Sequence, residues 1–206
     1  MHLIKYLSRI FKDYKFSILL LFFFEMYYFI QGYKGFKINL SKNDLMTDNI
    51  PCPYFFLSKI KKDLSGDSFS KLIDLGCGSG RIIDFFNNNY SNKKFVGIDF
   101  FEEQYNYCSK IFKNHENIEI IKSDFTKINL SKYESDCFFI SAPFKNNQDF
   151  IEFLHKLINS SHKKKRLFII INYDKNIIDN FKELKCIKSF YVGNRTGYSI
   201  YSDINT

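Results

Sequence analysis

Residues 71–81, Lys-Leu-Ile-Asp-Leu-Gly-Cys-Gly-Ser-Gly-Arg, constrain this chain more than any other stretch. An apolar, β-prone run (Leu72, Ile73, Leu75) enters a turn with glycines at 76, 78 and 80, and helical spacing begins at Ile82 and Ile83. Glycines let a backbone come close to a ligand, and the start of a helix offers unpaired N–H groups, so strand, turn and helix together form a ligand cradle. A dinucleotide fingerprint would need a glycine at 81, where Arg81 stands instead. A doubly wound sheet also places an acidic residue at the end of its second strand, about 20 residues on, to hold ribose hydroxyls. Lys94-Phe-Val-Gly-Ile-Asp99-Phe100 supplies it. The two oxygens of Asp99 can accept from vicinal hydroxyls together. A third apolar strand, Ile118 to Lys122, is followed by Ser123, Asp124 and Phe125.

The segment resembles motif I of the class I S-adenosylmethionine (SAM)-dependent methyltransferases, D/E-x-G-x-G-x-G, matched at Asp74, Gly76, Gly78 and Gly80. The resemblance implies SAM as cofactor, cradled by Asp74, Gly76, Cys77, Gly78 and Gly80, with Asp99 and Phe100 at the ribose end. It also implies that Asp124 accepts from the adenine amino group while Phe125 packs on the ring. At the end of the fourth strand, Ser141-Ala-Pro143-Phe144 looks like a degenerate form of the family's [N/D/S]-P-P-[Y/F] acceptor motif, with Ala142 departing from it. Ser141, Pro143 and Phe144 are therefore the acceptor-site candidates, with Phe144 expected at the acceptor mouth. The chain is also similar to small bacterial methyltransferases related to lysine methyltransferases. Pro51-Cys-Pro53-Tyr54 stands ahead of motif I, and Thr196 to Tyr201 is tyrosine-bearing. This likeness covers about residues 45–202.

Signals for strand and helix alternate beyond residue 50, as a parallel sheet with crossover helices requires. The spacing predicts helices from Tyr54 to Leu64 and over 101–114, 147–159 and 175–184, with strands at Ser135–Ser141 and Leu167–Asn172. Cys186–Val192 and Thr196–Tyr201 flank Gly193-Asn194-Arg195 and predict a hairpin, whose strands are antiparallel. The expected fold is thus α/β: a Rossmann-like seven-stranded methyltransferase sheet with an antiparallel last strand, plus an N-terminal hydrophobic helix. Residues 1–44 read as a basic, hydrophobic helical extension and linker, with 31–50 a polar connection. Residues 45–206 read as the SAM-dependent domain.

Phe16 to Ile30 is nearly continuous apolar sequence, preceded by Lys5, Arg9, Lys12 and Lys15 and followed by Lys34 and Lys37. As a helix it reaches roughly 22 Å, short of a hydrocarbon core of about 30 Å. Glu25 sits inside it and would be costly at mid-bilayer. An interfacial membrane anchor, a helix covering the catalytic domain or a dimer partner, a short span and a signal peptide all stay open. The anchor is favoured, which puts the protein in the cytoplasm against the inner face of a membrane.

The net charge of +8 invites a nucleic-acid partner, but basic residues are spread along the chain and form no recognisable RNA-binding module. The basic run 163–166 reads as a solvated strand entry. The five cysteines form no C-x-x-C pair and the four histidines no ligand cluster, so neither a metal nor a disulfide framework is expected. The expected function is methyl transfer to a protein side chain or a membrane-linked small molecule. A nucleic-acid N-methyltransferase and a non-catalytic SAM-binding protein are the alternatives. No catalytic base can be assigned, Asp149 being the nearest to one.

Overall fold

The computed structural model describes residues 18–33, 51–64, 68–160, 165–192 and 196–203. The basic flank of the N-terminal run, most of the 31–50 connection, Lys163 and Lys164, and the hairpin tip at 193–195 lie outside these residues. The elements are helix α1 (Ile18–Ile30), α2 (Tyr54–Asp63), β1 (Lys71–Leu75), α3 (Arg81–Asn89), β2 (Lys94–Asp99), α4 (Glu102–Phe112), β3 (Ile118–Lys122), a 3-10 turn (Leu130–Tyr133), β4 (Cys137–Ser141), α5 (Asn147–Asn159), β5 (Leu167–Ile171), α6 (Lys175–Ile178), β6 (Leu184–Tyr191) and β7 (Gly197–Asp203).

The strands form one sheet in the order β3-β2-β1-β4-β5-β7-β6. The first five run parallel, and β7 inserts antiparallel between β5 and β6. Alternation along buried strands feeds two cores, one on each face of the sheet. Leu72, Phe95, Phe139 and Ile169 face α1 to α4. Ile73, Val96, Phe138 and Ile170 face α5 and the chain around α6. At Gly97 a Cβ would fall 2.5 Å from Ile83 Cδ1 and 2.9 Å from Ile120 Cδ1, so β2 needs glycine there for α3 to seat on the sheet.

Two sequence expectations change. The helix expected over 175–184 closes after Ile178, because Leu184 already begins β6. Arg166 is no solvated residue of a basic run. It is buried, its Nε lies 2.7 Å from Asp203 Oδ2, and its remaining nitrogens donate to the carbonyls of Leu157 and Ile158 at the end of α5. A cation there satisfies helix-end carbonyls that have no partner within the helix.

Helix α1 packs on the sheet's α2–α3 side. Tyr28 stacks on Tyr54 with ring centroids 4.7 Å apart and its hydroxyl is 2.8 Å from Ser58 Oγ. Leu21 joins the core, whereas Phe22, Phe23, Met26, Tyr27, Phe29 and Ile30 are exposed. Among the described residues no helix is long and apolar enough to cross a membrane.

Candidate active site

The glycines of the turn after β1 adopt the left-handed conformation that side chains resist, with φ of 80° at Gly76, 53° at Gly78 and 77° at Gly80. This bends the chain so that the Gly76 and Cys77 amides donate to the Ile98 carbonyl (2.9 and 3.0 Å) and the Gly78 amide donates to Asp99 Oδ2 (2.8 Å). A Cβ on Gly76 would lie 3.4 Å from Pro143 Cβ and 3.9 Å from Phe125 Cε1. Motif I, the end of β2, the turn after β3 and the end of β4 therefore meet at one place. That place is the carboxyl edge of the parallel strands, where ligands of such sheets bind.

Asp74 is fully buried, and neither carboxylate oxygen has a hydrogen-bond partner. Burial, and then the neighbouring Asp99 charge, push its pKa well above the ordinary value. Such an orphan favours a cationic ligand or a donor, and SAM brings both a sulfonium and an ammonium. Asp99 is also buried; its Oδ1 takes the Phe101 amide at 2.9 Å, and desolvation raises its pKa against the pull of these backbone bonds. Phe100 beside it is half exposed, and its ring lies edge-on to Phe101. The left-handed glycine turn, the orphan carboxylate and the strand-end Asp99 fit the cofactor. The chemistry SAM supplies when bound is an already activated methyl group.

Asp124 is tied into its own turn: Oδ1 accepts from the Thr126 amide (3.0 Å) and hydroxyl (2.6 Å), and Lys127 Nζ is 3.3 Å from Oδ2. Burial raises its pKa, but the Thr126 bonds and Lys127 outweigh that and hold the carboxyl below its usual value. Phe125 and Phe144 do not stand at separate mouths. Both are buried, with centroids 5.6 Å apart and planes at 85°, and both pack on Phe153. Ser141 ends β4, half-buried, and Ala142 follows with φ of 45°. A left-handed alanine is strained, and such strain clusters at ligand sites. Asp149 is committed to the cap of α5, where it exchanges hydrogen bonds with Asn146.

Two residues next to the acceptor candidates escaped the sequence reading. Asn172 follows β5 with φ of 60°, its Oδ1 3.4 Å from the Gly197 amide. The buried Tyr173 hydroxyl accepts the Phe144 amide at 3.2 Å, and its ring stacks on Phe150 at 3.8 Å. Burial raises its pKa, so the hydroxyl keeps its proton at neutral pH. The signal was present in an Asn, a residue tolerant of left-handed backbone, directly after an all-apolar strand. A third residue was misjudged. Glu25, expected to be a liability at a membrane, binds Arg81 of the cradle instead, Oε2 to a guanidinium nitrogen at 2.8 Å.

Residues 72–161 match the family model described as a methyltransferase domain. Solved structures of the same fold include a SAM-dependent methyltransferase from Aquifex aeolicus, 18% identical, covering 72% of this chain and 89% of that one with a TM-score of 0.55. A methyltransferase from Geobacter sulfurreducens is 15% identical over 73% of this chain and 78% of its own, TM-score 0.55. The N,N-8-amino-8-demethyl-D-riboflavin dimethyltransferase of Streptomyces davawensis is 10% identical, over 73% and 54%, TM-score 0.59. No curated protein matches the chain. Sheet order, glycine cradle and family match together define a Rossmann-like transferase domain. Residues 72–161 thus carry a methyltransferase domain, on the fold of the class I SAM-dependent methyltransferases.

Proposed function

We propose that this enzyme methylates a protein side chain or a membrane-linked small molecule at the cytosolic face of an anionic membrane. In this reading Asp74, Gly76, Cys77, Gly78, Gly80, Asp99 and Phe100 hold the cofactor, and Asp124 and Phe125 close its adenine end. Ser141, Pro143 and Phe144 shape the acceptor side, with Asn172 beside them. The protein's share of the chemistry is alignment of an acceptor lone pair with the methyl group and exclusion of water. The reading names no catalytic base, since Tyr173 holds its proton and Asp149 is a helix cap.

The outer face of α1 carries the proposal. Phe22, Phe23, Met26, Tyr27, Phe29 and Ile30 project from one side of the helix, while Glu25 turns inward to Arg81. The carboxylate that made membrane contact costly is thus taken up by the protein itself. Six apolar side chains, each worth up to about 1.5–3 kcal/mol on full burial, then need only partial insertion at the headgroup boundary. Basic residues on both sides of the helix in sequence (Lys5, Arg9, Lys12, Lys15, Lys34, Lys37) add about 1 kcal/mol each where they lie near anionic lipid. Transfer to a nucleobase amine is disfavoured by Phe144, whose ring is packed among Phe125, Phe150 and Phe153 rather than open to stack on a base.

Flotation of the full-length protein with vesicles tests the surface. Recovery with phosphatidylglycerol-containing vesicles is expected, with little on pure phosphatidylcholine. Phe22→Ser combined with Phe29→Ser should abolish it. A protein that stays off anionic vesicles and runs as a dimer would assign the face to a second copy and overturn the membrane reading. Methyl-labelled SAM added to membrane and soluble fractions then shows where the acceptor resides.

A further inference from the structure

We infer that Glu25, from the N-terminal helix, is a positioning residue for the cofactor loop, acting through Arg81. The inference rests on the cofactor reading of residues 74–80. Arg81 is the first residue of α3 and follows Gly80 directly. A cation at a helix N-terminus opposes the helix dipole, and this guanidinium is only 4% exposed, so it has to be compensated. Glu25 supplies a carboxylate oxygen at 2.8 Å, the Cys52 carbonyl accepts from the same nitrogen at 3.2 Å, and the Tyr54 ring lies beneath the guanidinium at 4.4 Å. The second Glu25 oxygen accepts the Tyr54 amide at 2.9 Å. That amide opens α2, whose N-cap is Pro53 with no side-chain cap of its own. One carboxylate therefore joins α1, the 51–53 segment, α2 and the start of α3.

Gly80 has no slack on its other side. A Cβ there would fall 2.6 Å from Phe112 Cε2 and 3.1 Å from Cys108 Sγ, and the Cys108 thiol donates to the Gly78 carbonyl at 3.0 Å. With α4 pressed against the glycines and Glu25 fixing the adjoining Arg81, close packing passes a shift at Arg81 to Gly80 and Gly78. Losing the Glu25 charge leaves a buried guanidinium that turns towards water and carries the loop with it. By reciprocity, a ligand that orders the loop tightens the docking of α1.

Two measurements test this. Calorimetry with S-adenosylhomocysteine on wild-type, Glu25→Gln and Glu25→Ala protein should show affinity falling about fivefold or more, further for alanine than for glutamine. Thermal melts without ligand establish that each variant is folded. A purely structural role would lower the melting point and leave the affinity of the folded protein unchanged, which overturns the inference. Amide hydrogen exchange on the wild-type protein needs no variant: S-adenosylhomocysteine should slow exchange across residues 18–30. Ligand binding that leaves those amides untouched also overturns it. No binding by the wild-type protein would instead remove the cofactor reading itself.

Discussion

A carboxylate buried without a hydrogen-bond donor is costly, and Asp74 is held that way at the end of β1. Its pKa is raised by burial and by Asp99, so the folded protein keeps a proton there that the unfolded chain has released. The cost is absent below the ordinary value of 3.8 and grows as pH rises towards the folded one. Asp74→Asn removes the ionisable group. We expect the ligand-free variant to melt above wild type at pH 7.5, with the gap closing towards pH 4, and to bind S-adenosylhomocysteine more weakly. A pH series of thermal melts checks the first point and calorimetry the second. A gap independent of pH would mean that another group carries the buried charge. The presence of Asp74, Gly76, Gly78 and Asp99 was legible in the sequence because each sits at a fixed offset from a strand end. The burial of Phe144 was not. A motif gives residue order, while the ring's direction is decided by Phe125, Phe150 and Phe153, which arrive from after β3 and from α5.

The strands and their helices follow from local pattern. Apolar runs such as Leu167–Ile171 can only be buried strands at this length, and the helices between them carry one apolar stripe each. Gly97 shows where an element depends on what lies across from it. It is a glycine in the buried part of β2, and its absent side chain makes room for Ile83 of α3 and Ile120 of β3. Gly97→Ala should cost about 1–3 kcal/mol through overpacking, read as a lower urea midpoint with an unchanged slope. A neutral result would show that α3 can lift from the sheet without loss. The expected 175–184 helix failed because apolar residues at 177, 178, 181 and 184 fit a helical stripe, yet Leu184 is taken by pairing with Asp203 of β7. A helical period cannot report a strand partner that lies 19 residues further on. Arg166 was misjudged likewise, since its neighbours in sequence are lysines and its neighbour in space is Asp203.

For the whole molecule, the glycine turn takes contacts from β2 and α4, and Arg81 beside it takes one from α1. Anything that binds only the folded state stabilises it by mass action. S-adenosylhomocysteine at a hundredfold excess over its Kd should add about 2.7 kcal/mol, roughly 5–10 °C in Tm for a chain of this size. Asp99→Ala should remove most of that shift at the same ligand concentration, because the ribose hydroxyls lose their charged acceptor. A melting point indifferent to ligand would contradict a folded-state cofactor site. By itself the sequence determined the alternation of strands and helices, the glycine turn and the strand-end acids, because these are set by short-range spacing: glycines at 76, 78 and 80, and acids at the ends of strands. Only the tertiary structure decided where the N-terminal helix docks. The same apolar run with one glutamate fits a membrane or a protein surface equally well, until Arg81, 56 residues away, claims the carboxylate and leaves the opposite face bare. The pairing depends on burial and charge across a distance in sequence that no local period encodes.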